Sequence, residues 1–351
     1  EYRHPTTGTT TLRFPKYLPA PLNVLVGFLR FKAVTMKDIV PLAKLKPELK
    51  KTLPPHLSVA QWLTQCKQTT RLQEVFWNPL CLAALNQMPH QASAQHLQTV
   101  LNEAFFSSAD GSLLGYARMG LSNLLFDQAK SYLTTHNQTL ELGVYAKKLE
   151  VTSPQKVRLH LSNGHIYSPD MIISALPPHA LAKILPMDPF ADLLHLLISY
   201  RPSPILSVNL WYDRPTLDKP IIGMLGTKME WAFHKASLYQ NHDKASQGHI
   251  TLIASAAHQL AQMPHKDIAE WAHQEFQSVV PEAQKAVLQH ARVICEHRAT
   301  QTLPLGQIPP HTQTHHPQLL LAGDWVNTGL PATIESAVRS GFQAAEIVDK
   351  T

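Results

Sequence analysis

Glycine, cysteine and long apolar runs are scarce in this chain. These shortages exclude, in turn, a complete dinucleotide-binding turn, a disulfide framework and a membrane-spanning helix. The 14 glycines among 351 residues are scattered, and no G-x-G-x-x-G turn for a dinucleotide pyrophosphate occurs. The three cysteines, Cys66, Cys81 and Cys295, are far apart, which excludes a disulfide framework and fits a reducing cytoplasm. The longest apolar run, Pro21 to Phe31, is shorter than the roughly 20 residues that span a bilayer. The first residues do not resemble a signal peptide. We therefore expect a cytoplasmic protein.

Charged residues are also few, at 16% of the chain, and they give a formal net charge of +6. A basic balance is compatible with nucleic acid, with an anionic membrane surface or with no charged partner. The densest basic run, Lys44 to Lys51, is short, and no RNP, zinc-finger or helix-turn-helix signature occurs. We therefore expect no nucleic-acid partner, whereas an attraction to anionic lipid stays open. The 44% hydrophobic content and the length predict a large core and more than one sub-domain.

The most informative stretch lies at the end of the chain, from Leu319 to Val348. It begins with a short apolar strand that stops at Gly323-Asp324-Trp325, and a loop then leads to Pro331 and a helix. Small and apolar residues recur at helical spacing and predict the buried face of that helix: Ile334, Ala337, Val338, Gly341, Ala345 and Val348. Glu335 and Arg339 are placed as an i, i+4 ion pair on the other face.

An acid at the carboxyl end of a strand, followed by a helix start, suits a polar cofactor. The carboxylate of Asp324 can accept hydrogen bonds from a polyol, and the free N–H groups of the helix start can stabilise negative charge. The alternative is an ordinary strand, loop and helix that closes an α/β sheet.

The run Gly323-Asp324-Trp325 followed by Ala332-Thr333-Ile334-Glu335 resembles the C-terminal flavin motif of the phytoene desaturase and amine oxidase superfamily. The resemblance implies FAD as cofactor, with the acid on its ribityl chain and the helix start at its isoalloxazine ring. It also implies that a strand near Leu142 to Leu149 passes the adenine and that the turn after Ser174 lies beside the cofactor. The implied cofactor-binding residues are Gly323, Asp324, Trp325, Pro331, Ala332, Thr333, Ile334, Ala146 and Ala175.

A second stretch narrows the resemblance. Phe76-Trp77-Asn78-Pro79 and the run Leu80 to Asn86, with Leu18 to Leu22 upstream, resemble the hydroxysqualene dehydroxylases of this superfamily. The resemblance implies FAD-dependent reduction of hydroxysqualene to squalene in squalene and hopanoid biosynthesis, with squalene-synthase-like enzymes as pathway partners. It places a hydrocarbon tunnel at Phe76, Trp77, Leu80, Leu82, Leu85 and Met119. The alternative interpretation is that the run forms an ordinary buried helix without a chemical role.

The resemblance implies a fold as well: an α/β (α+β) protein with a partial FAD-binding Rossmann-like domain and an inserted substrate domain of mixed sheet and helices. We expect four segments, namely a helical substrate and membrane-facing part at 1–135, a return to the FAD domain at 136–180, the substrate-domain sheet at 181–300 and the C-terminal FAD segment at 301–351. Local patterns predict a hairpin within 1–16, strands at 205–212 and 250–255, and a helix at 266–279.

The N-terminal G-x-G-x-x-G unit of such a flavoprotein is absent. The chain opens Glu1-Tyr2-Arg3-His4-Pro5 without an initiator Met, and we expect that roughly 80–100 residues, a βαβ unit and its first insertion, precede it. Three hypotheses follow: a hydroxysqualene dehydroxylase, a carotenoid-type desaturase or amine oxidase, and a non-catalytic lipid-binding relative that has lost its nucleotide domain.

Loss of an allylic hydroxyl needs a proton donor, and Tyr116, Arg118 and Asp110 are the candidates. The helix predicted at Leu22 to Lys32 is apolar and ends in basic residues, so we expect attachment to the inner membrane surface. The histidines His311, His315 and His316 lack an acidic or cysteine companion, and we expect no metal there. The acids Glu230, Glu270 and Glu275 resemble surface residues.

Overall fold

The computed structural model describes residues 1–19, 21–108, 110–239 and 244–350, apart from the side chains of Lys244 and Ala245. Ala20, in the run from Leu18 to Leu22, lies outside the described residues. The strands are β1 Tyr2–His4, β2 Gly8–Thr10, β3 Ala146–Ser153, β4 Lys156–Leu161, β5 Ile166–Tyr167, β6 Ile172–Ser174, β7 Arg201–Tyr212, β8 Ile221–Met224, β9 Trp231–His234, β10 His249–Ala254, β11 Leu288–Thr302 and β12 Leu319–Leu321.

Helices fill much of the rest, which agrees with the expected α/β class. The α-helices are α1 Leu22–Arg30, α2 Met36–Ile39, α3 Leu45–Glu48, α4 Val59–Gln65, α5 Thr70–Leu72, α6 Asn78–Leu85, α7 Ala94–Leu101, α8 Asp127–Thr135, α9 Pro178–Ile184, α10 Met187–Ser199, α11 Lys235–Tyr239, α12 Lys244–Gln247, α13 His265–Val279, α14 Pro281–Gln284 and α15 Ile334–Val348. π-Helical turns span Gln73–Trp77, Asn102–Phe106 and Ser122–Phe126, and 3₁₀ turns span Val40–Lys44, Asp110–Ser112 and Leu260–Gln262.

The chain divides into two compact units. Unit 1 comprises Glu1–Leu124 and Ser203–Ala299, and unit 2 comprises Leu125–Pro202 and Thr300–Thr351. Helices α9 and α10 belong to unit 2, whereas the sequence placed residues 181–202 with the substrate-domain sheet. The reason is their packing, because Leu181 and Leu197 are buried in the same cluster as the β12 residues.

Unit 1 carries a seven-stranded sheet in the order β11-β7-β10-β9-β8-β1-β2. Its strands alternate as the sequence predicts: Leu206, Val208 and Leu210 of β7 are fully buried. Their face packs on α13, which contributes Phe276 and its helical neighbours to the same cluster. The predicted strands at 205–212 and 250–255, the helix at 266–279 and the first hairpin are therefore confirmed.

Helices α1 to α7 form a second core of unit 1. Trp62 and Leu63 are among its fully buried side chains, together with Phe28 of α1. Helix α4 begins with a capping box: the backbone N–H of Gln61 donates to Ser58 Oγ at 3.2 Å, and Ser58 N–H donates to Gln61 Oε1 at 3.0 Å.

Unit 2 is built around a parallel pair, β12 beside β6, and an antiparallel sheet β3-β4-β5. Residues Leu319–Leu321 pair in register with Ile172–Ser174 and are buried. The strand expected near Leu142 to Leu149 begins only at Ala146, which pairs with Leu161. Residues 140–145 are not strand because β4, the partner of β3, ends at Leu161.

No helix within the described ranges is both long enough and apolar enough to cross a lipid bilayer.

Candidate functional site

A sharp turn follows β12 and presents the acid that the motif singles out. The backbone N–H of Ala322 donates to Ser174 O at 2.9 Å, which keeps the strands paired up to the turn. Gly323 then takes a φ of +135°, and a Cβ there would lie 2.7 Å from Trp325 Nε1. The position therefore requires glycine on both conformational and steric grounds.

Asp324 is half-buried at this turn. Burial raises the pKa of its carboxyl group, and hydrogen bonds from the backbone N–H groups of Asp324 and Trp325 oppose that shift. No Lys or Arg among the described residues forms an ion pair with it. An acid held by amides, without a cation beside it, is suited to accept hydrogen bonds from the hydroxyl groups of a neutral polyol.

Helix α15 is tied to the end of the strand by serines. Thr333 caps the helix, since its hydroxyl accepts from Ser336 N–H at 3.2 Å. The backbone N–H of Gly323 donates to Ser340 Oγ at 2.7 Å, and Ser336 Oγ contacts Thr328 Oγ1 at 2.6 Å. These bonds fix the first turns of the helix against the Gly323-Asp324 turn.

The buried face of α15 differs from the prediction. Ser336, Ser340 and Ala344 are buried, whereas Ile334 and Val338 are exposed. The helix has this orientation because buried serine hydroxyl groups require hydrogen-bond partners, and the end of the strand provides them. A Cβ on Gly341 would meet nothing within 4 Å, so the small-residue stripe borders open space. The expected Glu335–Arg339 ion pair is present at 2.7 Å.

Trp325 holds the neighbouring backbone in place. Its indole N–H donates to Leu176 O at 3.1 Å, and its carbonyl oxygen accepts from the Tyr200 hydroxyl at 2.7 Å. Burial first, and then the nearby charge of Asp324, raises the pKa of that tyrosine well above its usual range. Trp325 itself is 3% exposed, so its ring packs in the core of unit 2.

Every residue predicted to bind the cofactor lies in unit 2. Pro331 is buried, Ala332 and Thr333 are half-buried, and Ile334 is exposed at the first position of α15. Ala175 is exposed and follows Ser174, the register partner of Leu321, so it belongs to the same strand end. Ala146 begins β3 and pairs with Leu161, outside the β6-β12 pair.

The arrangement fits FAD on one further observation. The hydroxyl of Ser174 is buried at the carboxyl end of β6 and has no hydrogen-bond partner among the residues that the structure describes. An unsatisfied buried hydroxyl is costly, and the carboxyl ends of parallel strands are where dinucleotides bind. FAD would be held here by Asp324 and by the start of α15.

An apolar cavity of about 610 Å³ lies in the helical part of unit 1. Phe76 and Trp77, two of the expected tunnel residues, line it, and Lys46 is the one charged residue of its lining. The remaining walls come from α1, α2, the 40–44 turn and the Leu101–Phe106 segment. We call this the apolar cavity; its lining is hydrocarbon and aromatic.

A second cavity, of about 420 Å³, lies in the same unit and is lined by polar groups; we call it the polar cavity. Leu82, another expected tunnel residue, lines it together with Arg71, Glu74 and Glu230. The interpretation of Glu230 as a surface acid is wrong: the residue is largely buried, and burial raises the pKa of its carboxyl group to about 7. Sequence reasoning missed it because an acid one residue before a strand carries no pattern of its own.

The other residues predicted for the tunnel, and the candidate proton donors, differ in their burial. Leu80 is half-buried against the helical core, Leu85 is buried within it, and Met119 is exposed. The candidate proton donors Tyr116, Arg118 and Asp110 are all exposed. Their role stays a prediction, but an exposed donor cannot by itself supply the water-poor surroundings that the chemistry needs.

Within the described ranges, no three or more His, Cys, Asp or Glu side chains are grouped so that they could hold a metal ion.

Sequence comparison gives the family. The model of the flavin containing amine oxidoreductase family matches residues 6–349. Hydroxysqualene dehydroxylase of Sinorhizobium fredii is 30% identical over 275 residues, which are 77% of this chain and 60% of that protein. The enzyme of the same name from Rhodopseudomonas palustris is 28% identical over 77% of this chain and 61% of its own. The 15-cis-phytoene desaturase of Glycine max is 22% identical over 95% of this chain and 62% of its own. The chain thus spans about 60% of the length of these relatives.

Solved structures share the fold. Cyclohexylamine oxidase from Brevibacterium oxydans matches with a TM-score of 0.66 and 14% identity, over 99% of this chain and 80% of its own. Putrescine oxidase with bound putrescine matches with a TM-score of 0.67 and 13% identity, over 99% of this chain and 81% of its own. The chain therefore belongs to the flavin containing amine oxidoreductase family, with hydroxysqualene dehydroxylases among its relatives, and this confirms the superfamily and the FAD cofactor that its C-terminal motif predicts.

Proposed function

We propose that the protein is an FAD-dependent oxidoreductase that converts hydroxysqualene to squalene by reductive loss of the allylic hydroxyl group. The observation that supports this most is the apolar cavity of about 610 Å³, lined by hydrocarbon and aromatic side chains, in a chain similar to hydroxysqualene dehydroxylases. An isoprenoid substrate has only carbon and hydrogen along most of its length, so its binding comes from burial of apolar surface.

Two groups of unit 2 serve the cofactor in this proposal. Asp324 accepts hydrogen bonds from the ribityl hydroxyls, and the N–H groups at the start of α15 stabilise negative charge on the ring. Bound in its reduced form, the flavin supplies hydride for the substrate carbon that loses oxygen. The protein orients the substrate and keeps water away from the carbocation that forms when the hydroxyl leaves.

The apolar cavity also suggests how an insoluble substrate enters. Leu22, Leu25 and Leu29 of α1 line it and are exposed, as are Met36 and Val40. Arg30 and Lys32 are exposed at the end of the same helix. We propose that this surface, the α1 face, rests on an anionic inner-membrane leaflet, so that hydroxysqualene passes from lipid into the cavity.

Product analysis tests the reaction. The protein expressed from its whole reading frame is loaded with FAD, reduced anaerobically and mixed with hydroxysqualene in detergent. We expect squalene in an amount equal to the flavin reoxidised, and an unreduced sample is the control. The absence of squalene would contradict the proposal.

A phytoene-type desaturase is the second candidate, because the match to the Glycine max enzyme extends over 95% of this chain. That activity consumes oxidised flavin and introduces double bonds. New double bonds in phytoene with oxidised enzyme, together with no squalene from hydroxysqualene, would favour it.

A further inference from the structure

The polar cavity contains titratable groups from three parts of unit 1. Tyr2 and His4 come from β1, Arg71 and Glu74 from the helical segment, and Glu230 from the turn before β9. The Tyr2 ring lies over Gly223 of β8, its register partner, and leaves no room for a Cβ there, so glycine is needed at that position. The lining of the cavity thus combines titratable side chains from segments that are distant in sequence.

Glu230 is the less exposed of the two acids in this set, because it is half-buried whereas Glu74 is exposed. Both of its carboxyl oxygens accept from the backbone N–H of Ser255, at 3.2 and 3.0 Å. No Lys or Arg in the described part of the chain forms an ion pair with it. Burial without a cation is why its pKa rises to about 7, so that protonated and ionised forms coexist near neutral pH. General acids are most effective in that range.

One element borders both cavities. In the π-helical turn Gln73–Trp77, Phe76 and Trp77 line the apolar cavity, whereas Glu74 and Val75 line the polar cavity. π-Turns within helices are frequent at functional sites, because the extra residue redirects side chains. A single turn therefore presents two aromatic side chains to the apolar cavity and the Glu74 carboxyl group to the polar cavity.

We propose that Glu230 is the proton donor for the leaving hydroxyl group and that the polar cavity receives the hydroxyl-bearing part of the substrate. This inference rests on the proposed function. The C–O bond breaks, its electron pair goes to oxygen, and the oxygen takes the Glu230 proton and leaves as water. The two electrons that complete the reduction arrive as the hydride of the proposed function, and Glu230 regains its proton from solvent.

The neighbouring groups set the pH response. Nδ1 of His4 accepts from the N–H groups of Thr6 and Thr7, and Nε of Arg71 donates to Ala33 O. Glu74 is exposed, and burial raises the pKa of Tyr2 further above neutrality. On the turn before Glu230, the N–H groups of Lys228 and Met229 donate to Glu275. The carboxyl group of Glu230, whose pKa is raised to about 7, exchanges its proton near neutral pH.

The test uses the FAD-loaded whole protein and compares Glu230→Gln, Glu230→Asp and Glu270→Gln. Glu270 is exposed on α13, so its replacement removes a charge without touching either cavity. Single-turnover squalene formation is measured between pH 5.5 and 8.5, roughly the range over which the Glu230 proton is exchanged. The carbonyl stretch of protonated carboxyl groups is followed over the same range by infrared difference spectroscopy, which does not depend on turnover.

We expect Glu230→Gln to lower the rate by about 10²- to 10⁴-fold and to remove an infrared band that the wild type loses as pH rises through about 7. The wild-type rate should fall over the same range. Glu230→Asp, which keeps an acid, should recover part of the rate, and Glu270→Gln should match the wild type in both measurements.

Each contrary outcome has one meaning. Wild-type squalene formation with an equally fast, folded Glu230→Gln variant would overturn the proton-donor role alone. If Glu230→Gln does not fold, Glu230→Asp provides the test. An unchanged pH profile of its rate, together with an unchanged infrared band, would overturn the proton-donor role in the same way. A wild type that forms no squalene, but shows the Glu230 band, would overturn the proposed function and the step with it.

Discussion

Asp324 and Glu230 are acids that the fold withdraws from water in different surroundings. The first receives backbone hydrogen bonds at a strand end, and the second lines a cavity and receives hydrogen bonds from Ser255. Burial raises the pKa of both carboxyl groups. In our proposals a carboxyl group therefore binds the cofactor in one place and transfers a proton in the other.

Replacing Asp324 by Ala should lower FAD content, because the variant loses an acceptor for the ribityl hydroxyls. A hydrogen bond to a charged group contributes about 1.5–3 kcal/mol, which corresponds to an affinity weaker by about 10- to 100-fold. The measurement is the ratio of flavin to protein absorbance after purification of the whole protein. Asp349→Ala, at the exposed end of α15, is the matched control. Full flavin content in the Asp324 variant would refute the assignment.

Glu230 also predicts how stability depends on pH. Its pKa rises from 4.5 in the unfolded chain to about 7 in the folded protein, so protonation favours folding. Its contribution is fully present below pH 4.5 and is lost as pH rises through about 7. Glu230→Gln has no charge to bury, so its unfolding free energy relative to wild type should increase with pH, by up to about 3 kcal/mol.

Urea unfolding from about pH 4 to about pH 8, a range that brackets the loss between 4.5 and about 7, measures this difference. Glu270→Gln, an exposed change on α13, should show none of it. A difference between Glu230→Gln and wild type that is constant over the whole range would mean that Glu230 is ionised at neutral pH.

At the scale of elements, α1 and α15 both leave apolar side chains exposed. On α1 these are Leu22, Leu25 and Leu29, and on α15 they include Ile334 and Val338. The causes differ. In α15 the serines form hydrogen bonds with the end of the strand, so the apolar side chains lie on the exposed face. The exposed leucines of α1 line a cavity instead. An amphipathic helix thus need not bury its apolar face against its own unit.

We expect the α1 face to bind membranes and a double substitution on this face to weaken that binding. Leu25→Glu with Leu29→Glu should lower binding of the whole protein to vesicles of anionic lipid by at least about tenfold, since each charge must leave water to enter the interface. Cosedimentation with vesicles is the measurement. Val287→Glu, at an equally exposed apolar residue of unit 1, is the control. Unchanged cosedimentation of the double variant would show that α1 does not contact lipid.

At the scale of the whole molecule, the chain crosses between its two units after residues 124, 202 and 299. The predicted cofactor residues all lie in unit 2, and both cavities lie in unit 1. Cofactor binding and substrate binding are therefore assigned to different units, although neither unit is a continuous stretch of chain.

This division predicts where FAD protects the backbone. Hydrogen exchange of the whole protein, measured with and without FAD, should slow at 319–326 and 333–340 when FAD is bound, because a ligand of the folded state suppresses local opening. Strands β7 and β10, deep in unit 1, should exchange at the same rate in both samples. Equal exchange at 319–340 would contradict a cofactor site at Asp324.

The sequence by itself determined the local elements and the family. Alternation with a period of 2 specified β7 and β10, and helical spacing specified α13, because burial of one face repeats at the period of the backbone. The motif from Gly323 to Ile334 predicted a flavin half-site, since a tight turn and an acid are followed, after a short loop, by a capped helix start.

Only the tertiary structure decided three other features. It turned the serine face of α15 inward, since hydrogen bonds to Gly323 and Thr328 outweigh the apolar pattern. It placed Phe76 and Trp77, but not Met119, on the apolar cavity, because the cavity arises from helices distant in sequence. It buried Glu230, whose surroundings come from β1, α6 and the turn before β9. Desolvation depends on neighbours that are distant in sequence, and no local pattern records them.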